Sequence, residues 1–288
     1  MSRLCVIRSV RTNGTTPMRY RAGSSGVHAA LSGLGKRGGE VWVSDYNYRE
    51  FSFTLDAAAV AEWESNGPKP GDLAPDFELP VIHGTSVQLS ALRGAPVVLE
   101  FGSYTCPIFC GHIEAMDEIA RGHPEAASFV IYTREAHPGE VTPPHANAAD
   151  KLAAAQRLVE EEGLHRRVLV DDVDGTTHKT YGAAWDAVYV IDSEGRVVLR
   201  QAWVHPADVV AVLDELAAGH PIEPRQTVNM APPSARPFGE GLLRGGKQAV
   251  LDFYRTAPPP VQQRLRDSPN ADVRQIVRGA AEHGSTET

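Results

Sequence analysis

Cysteine is scarce in this 288-residue sequence: Cys5, Cys106 and Cys110 are the only three. So small and odd a set excludes a disulfide-stapled scaffold. In a reducing compartment, two closely spaced cysteines are more often catalytic, redox-active or metal-binding than structural. No apolar run reaches the roughly eighteen residues of a membrane-crossing helix, so no membrane partner is expected. A basic block is also missing. Lys and Arg number 28 against 36 Asp and Glu, a net charge of -8, which excludes non-specific nucleic-acid binding. The stretch Met1–Arg8 has too little apolar sequence for a secretory signal, so the cytoplasm is the expected location.

What is present is an ordinary soluble composition, 42% hydrophobic and 22% charged, enough to bury a core. Three parts are expected: an N-terminal extension (1–68), a central domain (69–219) and a C-terminal helical extension (220–288). The extension up to Gly39 is rich in Gly, Ser, Arg and Thr and reads as irregular. Residues 40–55 read as one or two strands, Leu55–Ser65 as a helix, and Asn66-Gly-Pro-Lys-Pro-Gly71 as a breaker.

In the central domain, 95–101, 127–132 and 167–171 read as buried strands, and 187–192 with 195–203 as a hairpin. Helices are expected over 108–122, 147–162 (closed by Gly163) and 206–218. Two short helices are expected over 245–256 and 260–266, and a frayed end from Glu282. The order predicts an α/β fold with a mixed sheet flanked by helices.

The chemistry concentrates in Phe101-Gly-Ser-Tyr-Thr-Cys-Pro-Ile-Phe-Cys110. Cys106 falls where a buried strand hands over to a helix. There, free backbone N–H groups favour a thiolate, the nucleophilic form. Pro107 suits a first turn. The Ser103 and Thr105 hydroxyls are candidate donors to the sulfur or to a substrate. Cys110, four residues on, lies on the same helix face about 6 Å away, inside the disulfide range of about 4.4–6.8 Å. A zinc site built on Cys106, Cys110 and His112 lacks a recognised spacing. Asp171-Asp-Val-Asp174 lacks the Gly and Glu of a calcium loop. His83, His112, His123, His145, His165, His178 and His205 read as surface groups.

The stretch Gly71–Trp203 resembles the thioredoxin-fold redoxins, and within them the iodothyronine deiodinases. Four segments carry the resemblance in order: Phe101–Phe109, Ile131-Tyr-Thr-Arg-Glu-Ala-His-Pro138, Asp150–Gln156, and Tyr181-Gly-Ala-Ala-Trp-Asp-Ala-Val188. The resemblance implies a thioredoxin-like fold. It also implies that Cys106 stands where the family has selenocysteine and attacks a substrate's halogen. His137 and Tyr132, with Glu135 beside them, would deliver protons or orient substrate. Ser103 and Thr105 would complete the hydrogen bonds around the sulfur. Cys110 is an additional thiol able to resolve the intermediate. The sequence departs from the family at Gly139 and Val141, and from thioredoxins at Asp186, which stands where those have a cis-proline.

The expected function is a thiol oxidoreductase acting on a small molecule. It would need no cofactor beyond an external thiol or thioredoxin-type donor, and reductive dehalogenation of an aromatic substrate is the leading chemistry. A thiol peroxidase and a non-catalytic binding scaffold are the alternatives. The extensions are free to cover the site, to bind a partner or to form a homodimer.

Overall fold

A computed structural model describes residues 46–53, 57–182, 186–229 and 235–284. A six-stranded mixed sheet forms its centre, made of β3 (Val97–Gly102), β4 (Ala127–Tyr132), β5 (Arg167–Val170), β6 (Ala187–Ile191), β7 (Val197–Ala202) and β8 (Arg225–Val228), in the order β5-β4-β3-β6-β7-β8. β3, β4 and β5 run parallel, β6 is antiparallel to both β3 and β7, and β8 is parallel to β7. A small hairpin, β1 (Glu78–Pro80) with β2 (Ser86–Gln88), packs beside it. The parallel βαβ unit followed by an antiparallel pair and a helix is the thioredoxin-like arrangement that the sequence predicts.

Burial explains the strand sequences. Every residue of β3 is buried, as a central strand covered on both faces requires. Val97, Leu99 and Phe101 join the core beneath the β1–β2 hairpin. Val98 turns to the opposite core, under α6 (Pro206–Ala217). α4 (Ala148–Glu162) starts where the Asn147 side chain accepts the Ala149 and Asp150 amides and ends at Gly163 in the left-handed conformation, a cap worth about 1 kcal/mol.

Several expectations need correction. The helix expected over 108–122 is two: α2 (Pro107–Cys110) and α3 (Ile113–Gly122), split at Gly111-His112. Residues 46–53 form no strand; they lie as an irregular strap on the central domain, and 40–45 with 54–55 fall outside the described residues. The helix expected from Leu55 is α1 (Ala57–Ser65), and a short α5 (Thr176–Thr180) lies between β5 and β6. The C-terminal extension is not helical alone, because β8 joins the main sheet. It also holds two unforeseen helices, α7 (Ala235–Gly245) and α10 (Ala271–Gly284), on either side of α8 (Lys247–Thr256) and α9 (Pro259–Arg266). Glu282–Gly284 thus belong to a helix, while 285–288, Cys5 and the glycine-rich stretch to Gly39 fall outside the described residues. His145 and His178 are buried, 5% exposed each, against their reading as surface groups.

Candidate active site

β3 ends at Gly102, paired with Tyr132 at the end of β4. The loops that leave these two ends therefore meet at the carboxyl edge of the sheet, the usual place for function in α/β folds. Gly102 is required there, since a Cβ would fall 2.4 Å from the Phe109 ring. That absence lets α2 fold back over the strand end with Cys106 as its cap and the Cys110 amide on the Cys106 carbonyl at 3.0 Å.

The structure brings Ser103, Thr105, Tyr132 and Glu135 together, and adds His145. Glu135, 2% exposed, is the hub. Its Oε2 accepts the Thr105 amide at 2.9 Å and the Thr105 hydroxyl at 2.7 Å. Its Oε1 accepts the Tyr132 hydroxyl and faces His145 Nε2 at 3.1 Å. Burial pushes the Glu135 carboxyl up, but His145, Tyr132 and Thr105 more than offset this and hold it below the usual carboxylate range.

The two hydroxyls expected around the sulfur serve the loop instead. Ser103 Oγ accepts the Ala136 amide and Thr105 Oγ1 accepts the His137 amide, both at 3.0 Å. They tie the 135–137 loop to the Cys106 loop.

The thiols sit in a contrasting environment. Cys106 is 7% and Cys110 9% exposed, and both are reduced. Burial pushes the Cys106 thiol well up, and the nearby Asp186 carboxyl adds to this, while the Phe109 and Ile108 amides pull it back. Desolvation therefore outweighs the amides that the sequence reading credited with making a thiolate. Asp186 is itself buried, with neither side-chain oxygen in a good hydrogen bond, and burial raises it well above the ordinary carboxylate range.

Cys110 donates towards the Tyr104 carbonyl at 3.4 Å. Burial pushes it up to about 12 against the pull of Arg244 on α7. The His137 ring lies between Phe51 of the strap and Phe253 of α8, at centroid distances of 4.1 and 5.4 Å. Its Nδ1 has no hydrogen-bond partner, and burial alone lowers it to about 3. So the structure seats His137 beside the site through its backbone but turns the ring into an aromatic box.

Sequence reasoning missed His145, Asp186, Arg244, Phe51 and Phe253. Only Asp186 left a local signal, as the residue in the cis-proline place. Among the described residues, no group of three or more His, Cys, Asp or Glu is placed to hold a metal ion, and no helix is long and apolar enough to cross a membrane.

The family model for iodothyronine deiodinase matches residues 46–202, a span that contains every one of these site residues except Arg244 and Phe253. The chain belongs to the iodothyronine deiodinase family. Thyroxine 5-deiodinase of Sparus aurata is 32% identical over 124 residues, covering 39% of this chain and 45% of that protein. Type II iodothyronine deiodinase of Bos taurus is 27% identical over 165 residues, covering 51% and 61%. The chain thus spans about half the length of the curated relatives it matches. Among solved structures, a conserved protein of Geobacillus kaustophilus matches with a TM-score of 0.46 and 21% identity, over 55% of this chain and 87% of that one. A secreted Mycobacterium tuberculosis disulfide oxidoreductase matches with a TM-score of 0.39 and 20% identity, over 49% and 96%. The deiodinase-family stretch starts at Tyr46 and so includes the strap.

Proposed function

We propose that this chain is a thiol-dependent reductive dehalogenase of the deiodinase type, acting on an aromatic iodide with Cys106 as nucleophile. One observation carries the reading. Within the deiodinase-family stretch, a reduced cysteine caps α2, and the residue before it, Thr105, anchors the Glu135–Tyr132–His145 cluster.

In the proposed reaction Cys106, a thiol in the resting site, gives up its proton as its sulfur attacks iodine. The sulfur–iodine bond forms as the carbon–iodine bond breaks, and the ring carbon takes a proton. A second thiol then displaces iodide and leaves a disulfide, so one aryl iodide and two thiols give the arene, iodide, a proton and one disulfide. Cys110 is the internal candidate for that second thiol, and an external dithiol or thioredoxin-type donor restores the site. Proton supply falls to the Glu135–Tyr132–His145 cluster. His137 is neutral in its aromatic box and takes part once the ring is turned out of it. A reducing compartment such as the cytoplasm suits this cycle.

The test is iodide release from 2,6-diiodophenol with dithiothreitol as donor. The native chain is expected to release iodide and the Cys106→Ser variant to release none. Equal release by both would overturn the reading. Rapid hydrogen peroxide consumption without iodide release would replace it with a thiol peroxidase.

A further inference from the structure

Arg244 stands outside the deiodinase-family stretch 46–202, yet it reaches into the site. It sits near the end of α7, and α7 lies directly on α2: a Cβ on Gly241 would fall 2.6 Å from the Pro107 Cα. From there Arg244 Nη1 donates to Cys110 Sγ and, at 3.2 Å, to the Tyr104 carbonyl. Nη2 pairs with the Glu162 carboxylate at the end of α4. The guanidinium also stacks 5.0 Å from the Tyr104 ring. Glu162 and Tyr104 therefore fix the plane of a cation whose free corner meets a thiol.

We propose that Arg244 is the positioning residue that makes Cys110 the resolving thiol of this enzyme. The proposal rests on the reading of Cys106 as nucleophile. Once Cys106 is oxidised by two electrons, to a sulfenyl iodide by the aryl iodide or to a sulfenic acid by a hydroperoxide, Cys110 must attack its sulfur. The Cys106–Cys110 bond forms, the sulfur–iodine or sulfur–oxygen bond breaks, and the Cys110 proton leaves with iodide or as water. An external dithiol then reduces the disulfide.

The groups facing Cys110 work against ionisation, with one exception. Glu162, Glu135 and the burial itself oppose the thiolate, while Arg244 favours it; Cys106 and Tyr132 are the other ionisable neighbours. Among the described residues, Arg244 is thus the one cation placed to hold the attacking sulfur as an anion while fixing where it points. The C-terminal helices contribute a functional group to the site and not merely a cover.

The two steps are separable with stoichiometric hydrogen peroxide as the oxidant. The Cys106 sulfenic acid is trapped with dimedone, and the Cys106–Cys110 disulfide is read as a loss of two hydrogens by peptide mass spectrometry. In Arg244→Gln the disulfide-forming rate is expected to fall roughly three- to tenfold, as the attacking thiol loses its charge-assisted bond. Cys106 sulfinic acid should accumulate as the sulfenic acid waits. Arg244→Lys, which keeps the charge, is expected to recover most of the rate. An unchanged rate in Arg244→Gln, or an equal loss in Arg244→Lys, would overturn the proposal by showing no role or a packing role alone. Should the glutamine variant fail to fold, the lysine variant decides: a rate within about threefold of native supports the proposal, and a loss of tenfold or more contradicts it. Absence of both a dimedone adduct on Cys106 and a Cys106–Cys110 disulfide would instead overturn the nucleophile reading beneath it.

Discussion

Two halves of the site face each other at the carboxyl edge of the sheet, and they are built in opposite ways. On the Glu135 side both carboxylate oxygens are satisfied by buried donors. On the sulfur side, the Asp186 carboxyl and His137 Nδ1 are buried without good partners, and two thiols are pushed up by desolvation. The first half resembles a rigid frame built on a satisfied carboxylate, with His145 Nδ1 buried beside it without a partner. The second is held by apolar contact, with Phe51, Phe253 and α7 supplying the walls. The comparison teaches that position and reactivity are set by different parts of the chain. Strand ends and the Glu135 hub place the loops, while the strap and the C-terminal helices set how readily the groups ionise and, through Arg244, where Cys110 points.

The largest test of the contrast is at the hub. Glu135→Ala strips the partners from Thr105, Tyr132 and His145 together and is expected to cost about 3–5 kcal/mol, read as a fall in unfolding midpoint in urea. A loss below about 1 kcal/mol would mean that the frame does not depend on Glu135.

Acid should act on the other half. His137, lowered to about 3, binds a proton more readily unfolded than folded. Stability is therefore full above the unfolded value near 6.5 and is lost as pH falls towards 3, by up to about 4 kcal/mol. Glu135, held below its ordinary value, adds a loss confined to pH below about 4.5. His137→Phe should abolish the slope between pH 6.5 and 4.5 and reduce it below 4.5 to the Glu135 part, which urea unfolding across that range would show.

Phe253, 4% exposed, walls the same box. Phe253→Ala is expected to cost about 3 kcal/mol and to raise the His137 midpoint towards 6.5 in an NMR titration. A midpoint that stays near 3 would assign the burial of His137 to Phe51 alone. The smallest effect is expected at the close approach of α7 to α2. Gly241→Ala forces backbone apart at Pro107, costing about 1–3 kcal/mol. It should speed alkylation of Cys106 beyond what the stability loss explains, because it loosens the wall at that point.

The same division decides what the sequence makes legible. Cys106, Cys110, Ser103, Thr105, Tyr132, Glu135 and His137 lie at or just beyond the ends of two adjacent parallel strands, and buried apolar runs announce both strands. Their meeting follows from topology. The Glu135 hub is thus readable in outline, although the assignment of the two hydroxyls is not, because which acceptor they choose depends on how the 135–137 loop closes.

The walls are not readable. Phe51, Phe253 and Arg244 reach the site from distant sequence, through packing that leaves no local periodicity. α7 is hidden by its own composition, since Pro237, Gly239, Gly241 and Gly245 read as breakers. In the structure, Gly241 and Gly245 are instead the points where the helix approaches the Pro107 and His137 backbones. Asp186 shows the intermediate case: its place is visible, but its burial and its closeness to Cys106 come only with the fold. The sign of the Cys106 shift fails for the same reason. A sequence shows the amides of a helix start, but not the depth at which that start is buried.

The measurement that tests the account most directly is the pH dependence of Cys106 alkylation by iodoacetamide in the reduced full-length protein, located by peptide mass spectrometry. The account predicts a rate still rising beyond pH 9, because burial and Asp186 outweigh the Phe109 and Ile108 amides. It also predicts a markedly lower midpoint in Gly241→Ala. A rate that levels off below about 8.5, the ordinary thiol value, and is the same in both proteins would contradict it, because the Phe109 and Ile108 amides would then outweigh burial and Asp186.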